Sequence, residues 1–350
     1  MSATTLRHPA DTGNGAANPL IVEVIRGDMV ESRHRAAVAI VDRAGKTVEA
    51  WGDVERPVYG RSATKPIQAL PLIETGAADR YGLGAAEIAL ACASHNGEPR
   101  HVALVTAWLK RIGLGVADLE CGAHIPYHEE TAAAMIRAGR EPTAAENNCS
   151  GKHAGFLTTA RHLGEPTPGY INWEHPVQQR VLAALEQMAG LELGRAPRGI
   201  DGCGIPVIGM PLQRLALAMA RLADPSDLPE ARAAAAARIR AAMTAEPFLI
   251  AGSGGFCTEL MTVTGTSVVA KAGAEGVYTA ALPTLGLGVA LKVDDGAARA
   301  ATVALGAVLR HLGLLSAAEQ EKLAQLLTPP VLNRAGRMTG QIRRAAVAPF

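Results

Sequence analysis

The chain has 350 residues, enough for one large domain or two ordinary ones, and for a substantial hydrophobic core. With 48% hydrophobic and 19% charged residues, its composition is globular and excludes wholesale disorder. Lys and Arg total 34 against 33 for Asp and Glu, a net charge of +1, which leaves no electrostatic footprint for nucleic acid.

The opening MSATTLRHPADTGNGAAN is small and polar, with no apolar core and no cleavage-site pattern. It reads as a flexible tail over residues 1–19 rather than a secretory signal. LIVEVIRGDMV, from Leu20, then reads as a strand. RAAVAIVD, the turn-like RAGK and TVEAW follow as a β-hairpin. From about 62 to 245 the apolar spacing becomes helical, in PIQALPLIETG, VALVTAWLKRIG, PVQQRVLAALEQMAG, PLQRLALAMARLA and the Ala-rich ARAAAAARIRAAM. Asp224 or Ser226 suits a cap ahead of the Ala-rich segment. Strand character returns in SVVAKAG, VYTAALP and LGVALKV, and a last helix is expected over about 297–312 after Asp294 and Asp295. Strands at both ends with a helical middle predict a single domain over 20–350. Its antiparallel sheet would come from about 20–60 and 250–300, with the helical region inserted between. No apolar run is long enough to span a bilayer. The five cysteines, Cys92, Cys121, Cys149, Cys203 and Cys257, are scattered, unlike a secreted disulfide framework. A soluble cytoplasmic protein is the expectation.

Within GRSATKP, Ser62 and Lys65 form Ser-x-x-Lys. Residues three apart on a helical turn share a face, so Ser62 Oγ and Lys65 Nζ are expected within reach of each other. A serine hydroxyl needs a base, and a lysine serves as one only when burial or a nearby cation lowers its pKa. Pro66 confines the pair to a first helical turn. Alone, the pattern is as consistent with a solvated helix start. Ser94-His95-Asn96 adds Ser-x-Asn, and Lys271-Ala272-Gly273 adds Lys-x-Gly after a predicted strand. That order of three motifs is the order in β-lactamases and penicillin-binding proteins, where the second serine and lysine pass a proton on. There the glycine lets substrate approach the strand.

ENNCSGKHAG and GIDGCGIP are polar, Gly-rich islands around Cys149 and Cys203. Three readings stay open: a zinc held by two thiolates and a third ligand, a Cys149 nucleophile activated by Lys152 or His153, or two inert buried cysteines. As third ligand, chemistry ranks His153 or Asp201 ahead of Lys152, because a lysine must lose its proton to coordinate. His124 and His128 in HIPYH are four apart, but Pro126 argues against a helix there, and a packing role is the plainer reading for them and for His175. GSGGFC lacks the Lys-Ser/Thr of a phosphate loop and reads as a flexible turn near the site.

Together, RSATKPIQALPL, CASHNGE, ENNCSGKHAGF, DGCGIPV and KAGAEGVY resemble the asparaginase II family related to the rhizobial thermolabile L-asparaginase, over about residues 20–345. The resemblance implies an α/β fold like that of serine β-lactamases and glutaminases, and a homodimer. It implies an amidohydrolase that splits L-asparagine into L-aspartate and ammonia. By the same resemblance Ser62 is the nucleophile, Lys65 its paired lysine, Ser94 the second serine and Lys271 the second lysine. Cys149, Lys152 and Cys203 match a metal site, with zinc the expected ion, so the lysine that chemistry ranked last is the one the family favours. Arg61, His153, Asp201 and Asn96 are implied neighbours of the substrate, with Arg61 suited to its α-carboxylate and Asp201 to its α-ammonium. A β-lactamase or peptidase of the same fold, an amino-acid-binding protein without chemistry, and a Cys149-dependent amidase are the alternatives.

Overall fold

The computed structural model describes residues 17–350. Most of the expected tail lies outside the described residues, and its last two positions are tied down. Asn18 Nδ2 donates to Asp294 Oδ1 (2.7 Å), its Oδ1 accepts from the Asp53 N–H (2.7 Å), and Pro19 O accepts from the Ala36 N–H.

The strands are β1 (Leu20–Arg26), β2 (Met29–Asp42), β3 (Thr47–Trp51), β4 (Pro57–Tyr59), β5 (Arg198–Ile200), β6 (Pro206–Pro211), β7 (Val269–Ala272), β8 (Val277–Leu282), β9 (Leu287–Val293), β10 (Pro330–Leu332) and β11 (Met338–Arg344). Eight of them form one antiparallel sheet in the order β10-β11-β1-β2-β9-β8-β7, with β3 also paired to β2. The sheet is thus assembled from both ends of the chain around an inserted helical region. This is the mixed α/β arrangement expected of a serine β-lactamase-like fold. LIVEVIRGDMV is two strands rather than one, because Gly27 at φ +54° turns β1 back into β2. β10 and β11 lie beyond the segments expected to form the sheet. Their sequences carry little alternation: in MTGQIRR only Ile342 is buried. What fits β11 to β1 is Gly340, where a Cβ would stand 1.8 Å from Ile25 O.

Two helices lie against this sheet, Leu212–Ala223 and Ala298–His311. The first meets β9 at Gly288, where a Cβ would fall 2.1 Å from Ala216 O. In the inserted region, PIQALPLI breaks into Lys65–Gln68 and Leu70–Glu74. Pro71 has no N–H to give Ile67 O and its ring would clash there. The Ala-rich helix begins at Glu230 behind Pro229, not behind Asp224 or Ser226. Asp224 Oδ1 instead accepts from the Ser226 N–H in a local turn (3.2 Å). Helix Ser150–Leu163 is buried on every residue from Ser150 to Ala160, and Gly151 lets it press on Leu90 O, 2.2 Å from where a Cβ would sit. Among the described residues, no helix is long and apolar enough to cross a membrane.

Candidate active site

A small sheet, β4-β6-β5, brings two distant loops together. β4 runs straight into the turn Arg61–Thr64, a 3-10 helix, and β5 into Asp201 and Cys203. Pro66 sits in the first turn of the following helix, as its missing N–H requires. Arg61 takes the left-handed φ of +49°, unusual for a residue with a side chain. The turn is fixed by Thr64 Oγ1 donating to Arg61 O (2.8 Å) and by the Ala63 N–H on Gly60 O (3.0 Å). From the large sheet, Thr279 Oγ1 on β8 donates to Ala63 O (3.1 Å). Gly273 presses on the same turn: a Cβ there would lie 2.8 Å from Gly60 O and 3.2 Å from Ala63 N. The glycine of Lys-x-Gly therefore makes room for the Ser62 turn itself, where the motif suggested room for substrate.

Lys65 and Lys271 are both fully buried. Their amines meet on one hydroxyl: Ser94 Oγ accepts from Lys65 Nζ at 3.0 Å and from Lys271 Nζ at 2.8 Å. Lys65 Nζ also donates to Ala93 O and, at 3.4 Å, to Asn148 O, while Lys271 Nζ donates to Ala272 O (2.7 Å). Burial lowers the pKa of Lys65; the Cys149 thiolate works against this and the Lys152 charge with it. Burial, then the charge of Lys65, brings Lys271 down to about 7. Two cations cannot share a desolvated hydroxyl without penalty, so a neutral amine is available here near neutral pH. The expected hydrogen bond from Ser62 Oγ to Lys65 is absent among the described residues. The amine is instead taken up by Ala93 O, Ser94 Oγ and Asn148 O.

Arg61 and Asp201 are paired. Asp201 Oδ1 accepts from Arg61 Nε (3.1 Å), Arg61 Nη2 (2.9 Å) and the Gly202 N–H (2.6 Å). Burial opposes ionisation of Asp201, but the Arg61 hydrogen bonds and the Lys152 charge hold its carboxyl below the ordinary value.

Cys149 and Cys203 come together beside Lys152. The tight turn that carries Cys203 closes with the Asp201 N–H on Ile205 O and the Gly204 N–H on Asp201 O, and it needs φ +89° at Gly204. Asn147 Oδ1 accepts from the Cys149 N–H (2.8 Å) while its amide donates to Cys121 O and Gly122 O. Lys152 Nζ donates to Cys203 Sγ (3.1 Å). A hydrogen bond from Cys203 and the charges of Lys65 and Lys152 hold the Cys149 thiol well below its usual pKa, and the same hydrogen bond pushes Cys203 up. Two sulfurs and one amine meet in this buried pocket. Burial works against the Lys152 charge, but the neighbouring sulfurs hold its pKa above the ordinary value, so the amine would have to give up a proton before joining the sulfurs around an ion. Among the described residues, no group of three from His, Cys, Asp and Glu is placed to hold a metal. Of the two residues that chemistry ranks first as third ligand, Asp201 is held by Arg61, and the Tyr170 hydroxyl engages His153 Nδ1 (2.7 Å). His153 Nε2 is buried without a partner.

Asn96 Nδ2 donates to Glu98 Oε1 (2.8 Å), and Glu98 also receives the Ser253 N–H (2.7 Å) and Ser253 Oγ (3.0 Å). The GSGG segment is therefore clamped, not a free turn, and a Cβ at Gly252 (φ +82°) would lie 2.2 Å from Asn96 Oδ1. His124 and His128 are packing residues: His124 Nε2 accepts from the Asn148 N–H (2.9 Å) and His128 Nδ1 from the Thr131 N–H at the start of a helix. His175 likewise caps helix Pro176–Ala189. Sequence reasoning missed the carbonyls of Ala93 and Asn148, along with Thr279 and Tyr170. Backbone acceptors leave no trace in residue type, and no motif marks the other two.

The model of the L-asparaginase II family matches residues 22–344. No curated protein sequence matches the chain. Among solved structures, Mglu in its tris and glutamate form is similar at 15% identity, covering 86% of this chain and 64% of that chain, with a TM-score of 0.45. Mglu in its glutamate form is similar at 14% identity, over 80% and 61%, with a TM-score of 0.44. This chain thus spans less than two thirds of those two Mglu chains. A β-lactamase from Burkholderia ambifaria is similar at 16% identity, over 80% and 94%, with a TM-score of 0.37. Likenesses this loose bear on no residue of the site. The family match covers nearly the whole chain, with Lys65, Lys271 and both cysteine islands inside it, so this chain belongs to the L-asparaginase II family and is an amidohydrolase.

Proposed function

We propose that the chain hydrolyses the side-chain carboxamide of L-asparagine to L-aspartate and ammonia through an acyl-enzyme on Ser62. The observation that carries this reading is the pair of buried lysine amines meeting on Ser94 Oγ beneath the Ser62 turn. Lys65, neutral when substrate is bound, takes the Ser62 proton as the oxygen attacks the carboxamide; contacts of this kind tighten only in the complex. The tetrahedral oxyanion is met by backbone N–H groups, Ser62's own among them, each commonly worth about 3–4 kcal/mol. Ser94 and Lys271 pass a proton to the departing ammonia. Water then attacks the ester by the reverse route, restoring Ser62. Arg61 serves the α-carboxylate and Asp201 the α-ammonium, with His153 and Asn96 alongside. Because Arg61 and Asp201 hold each other in the free protein, substrate binding exchanges one ion pair for two.

Zinc is the ion that Cys149, Lys152 and Cys203 would hold, with water in the fourth position. Bound there, it would supply a fixed positive charge that shapes and anchors the substrate pocket. A homodimer in the cytoplasm belongs to the same reading, with no nucleic-acid or membrane partner.

One observation favours a second reading: Ser94, not Ser62, touches both amines, which would make Ser94 the nucleophile. Intact-mass and peptide-mapping mass spectrometry after rapid mixing with L-asparagine separates the two. An aspartyl adduct on the peptide carrying Ser62, absent in Ser62→Ala, supports the first. An adduct on Ser94, or on Cys149, rejects it.

A further inference from the structure

We propose that His95 is a positioning residue that holds Ser94 Oγ against the two lysine amines through a hydrogen bond to Ser150. Its consequence for turnover rests on the serine–lysine reading above. Ser94 lies on an irregular segment, residues 93–98, between helices Ala85–Ala91 and Pro99–Arg111, with no helical or sheet ladder to fix it. Its own N–H donates to Ile250 O (2.9 Å). The neighbouring side chain, His95, is fully buried.

His95 has one consistent orientation. Its Nδ1 accepts from the Gly97 N–H (3.2 Å), so the ring proton is on Nε2 and is donated to Ser150 Oγ (2.9 Å). Ser150 Oγ donates onward to Ala145 O (3.0 Å), and the chain of bonds closes. The ring stacks on His101 at 4.8 Å, which stacks on Phe248 at 4.9 Å. Burial, with the charges of His101, Lys65 and His124, keeps His95 neutral and therefore in this one donor–acceptor arrangement.

Ser150 opens the helix that carries Lys152 and directly follows Cys149. The two carbonyls that flank the Lys65 amine belong to Ala93, two residues before His95, and Asn148, two residues before Ser150. The His95–Ser150 bond is therefore the side-chain strut that sets the gap into which the amine fits. A histidine between the serine and asparagine of Ser-x-Asn has no direct part in the chemistry; it fixes where that chemistry happens.

Crystal structures and steady-state kinetics of full-length Ser150→Ala, His95→Leu and His95→Gln test this. In Ser150→Ala and His95→Leu, Ser94 Oγ is expected beyond hydrogen-bonding reach of at least one amine. kcat for L-asparagine is expected to fall about 10²-fold, the usual cost of a misplaced reacting group, with KM nearly unchanged. His95→Gln, whose amide both accepts and donates, is expected to recover most of the loss. Ser94 still bonded to both amines in Ser150→Ala, or His95→Gln no better than His95→Leu, overturns the proposal. If the wild type releases no ammonia from asparagine, the functional reading fails by itself. The crystallographic comparison then decides the strut alone: displaced Ser94 supports it, undisplaced Ser94 overturns it.

Discussion

Lys271 carries an amine into the core to meet Ser94 Oγ and the carbonyl of Ala272, neither of them charged. Its pKa is 10.5 unfolded and about 7 folded. Between those values the unfolded chain holds a proton that the folded chain releases, so stability rises with pH across roughly 7 to 10.5. Below about 7 the full penalty, on the order of 5 kcal/mol, is present. Lys271→Met is therefore expected to raise the denaturation midpoint at pH 6, by about 1–4 kcal/mol of stability, as apolar replacement of buried charge often does. It is also expected to cut amide hydrolysis by about 10²–10⁴-fold, the usual contribution of a proton-transfer group. Denaturant titration and ammonia release measure both; a less stable variant would contradict the argument. In the wild type Lys65 must be neutral to take the Ser62 proton, and burial lowers its pKa, so kcat/KM is expected to climb with pH and to level below the ordinary lysine range; a flat profile would contradict this. Arg61 is strained at φ +49°, so Arg61→Gly is expected to be more stable than Arg61→Ala by more than about 1 kcal/mol. Both should raise KM for asparagine, since both lose the guanidinium.

The elements hold these residues through glycine contacts that leave no room for a side chain. Gly273 on the segment after β7 touches the backbone of Gly60 and Ala63. Gly273→Ala is expected to push the Ser62 turn from its place and lower kcat about 10²-fold, with a modest change in thermal midpoint; unchanged kcat would show that the contact positions nothing. The same kind of contact explains what the sequence made legible. β2, β8 and β9 are rich in buried apolar residues and stand out, whereas β11 is mostly polar and depends on Gly340 meeting Ile25 O. Pro71 broke a helix whose apolar spacing looked continuous. The gathering of Lys65, Ser94 and Lys271 was legible because each motif keeps its residue types at fixed spacing. The exclusion of Ser62 from that hydrogen-bond set was not, since it depends on carbonyls at Ala93 and Asn148.

Across the whole molecule, the sheet built from both chain ends delivers Lys271, while the inserted region delivers Lys65 on a helix, Ser94 on the segment between two helices, Cys149 just before a helix and Cys203 on a turn after β5. Neither half holds a complete site, so the chemistry depends on the two packing together. The central claim is that a serine opened by a neutral lysine splits a carboxamide, without help from the thiolate nearby. Ammonia release from L-asparagine, measured side by side on wild type, Ser62→Ala and Cys149→Ala, tests it most directly. The account predicts release by wild type, none above background from Ser62→Ala, and a residual rate from Cys149→Ala. Full activity in Ser62→Ala with none in Cys149→Ala would contradict it.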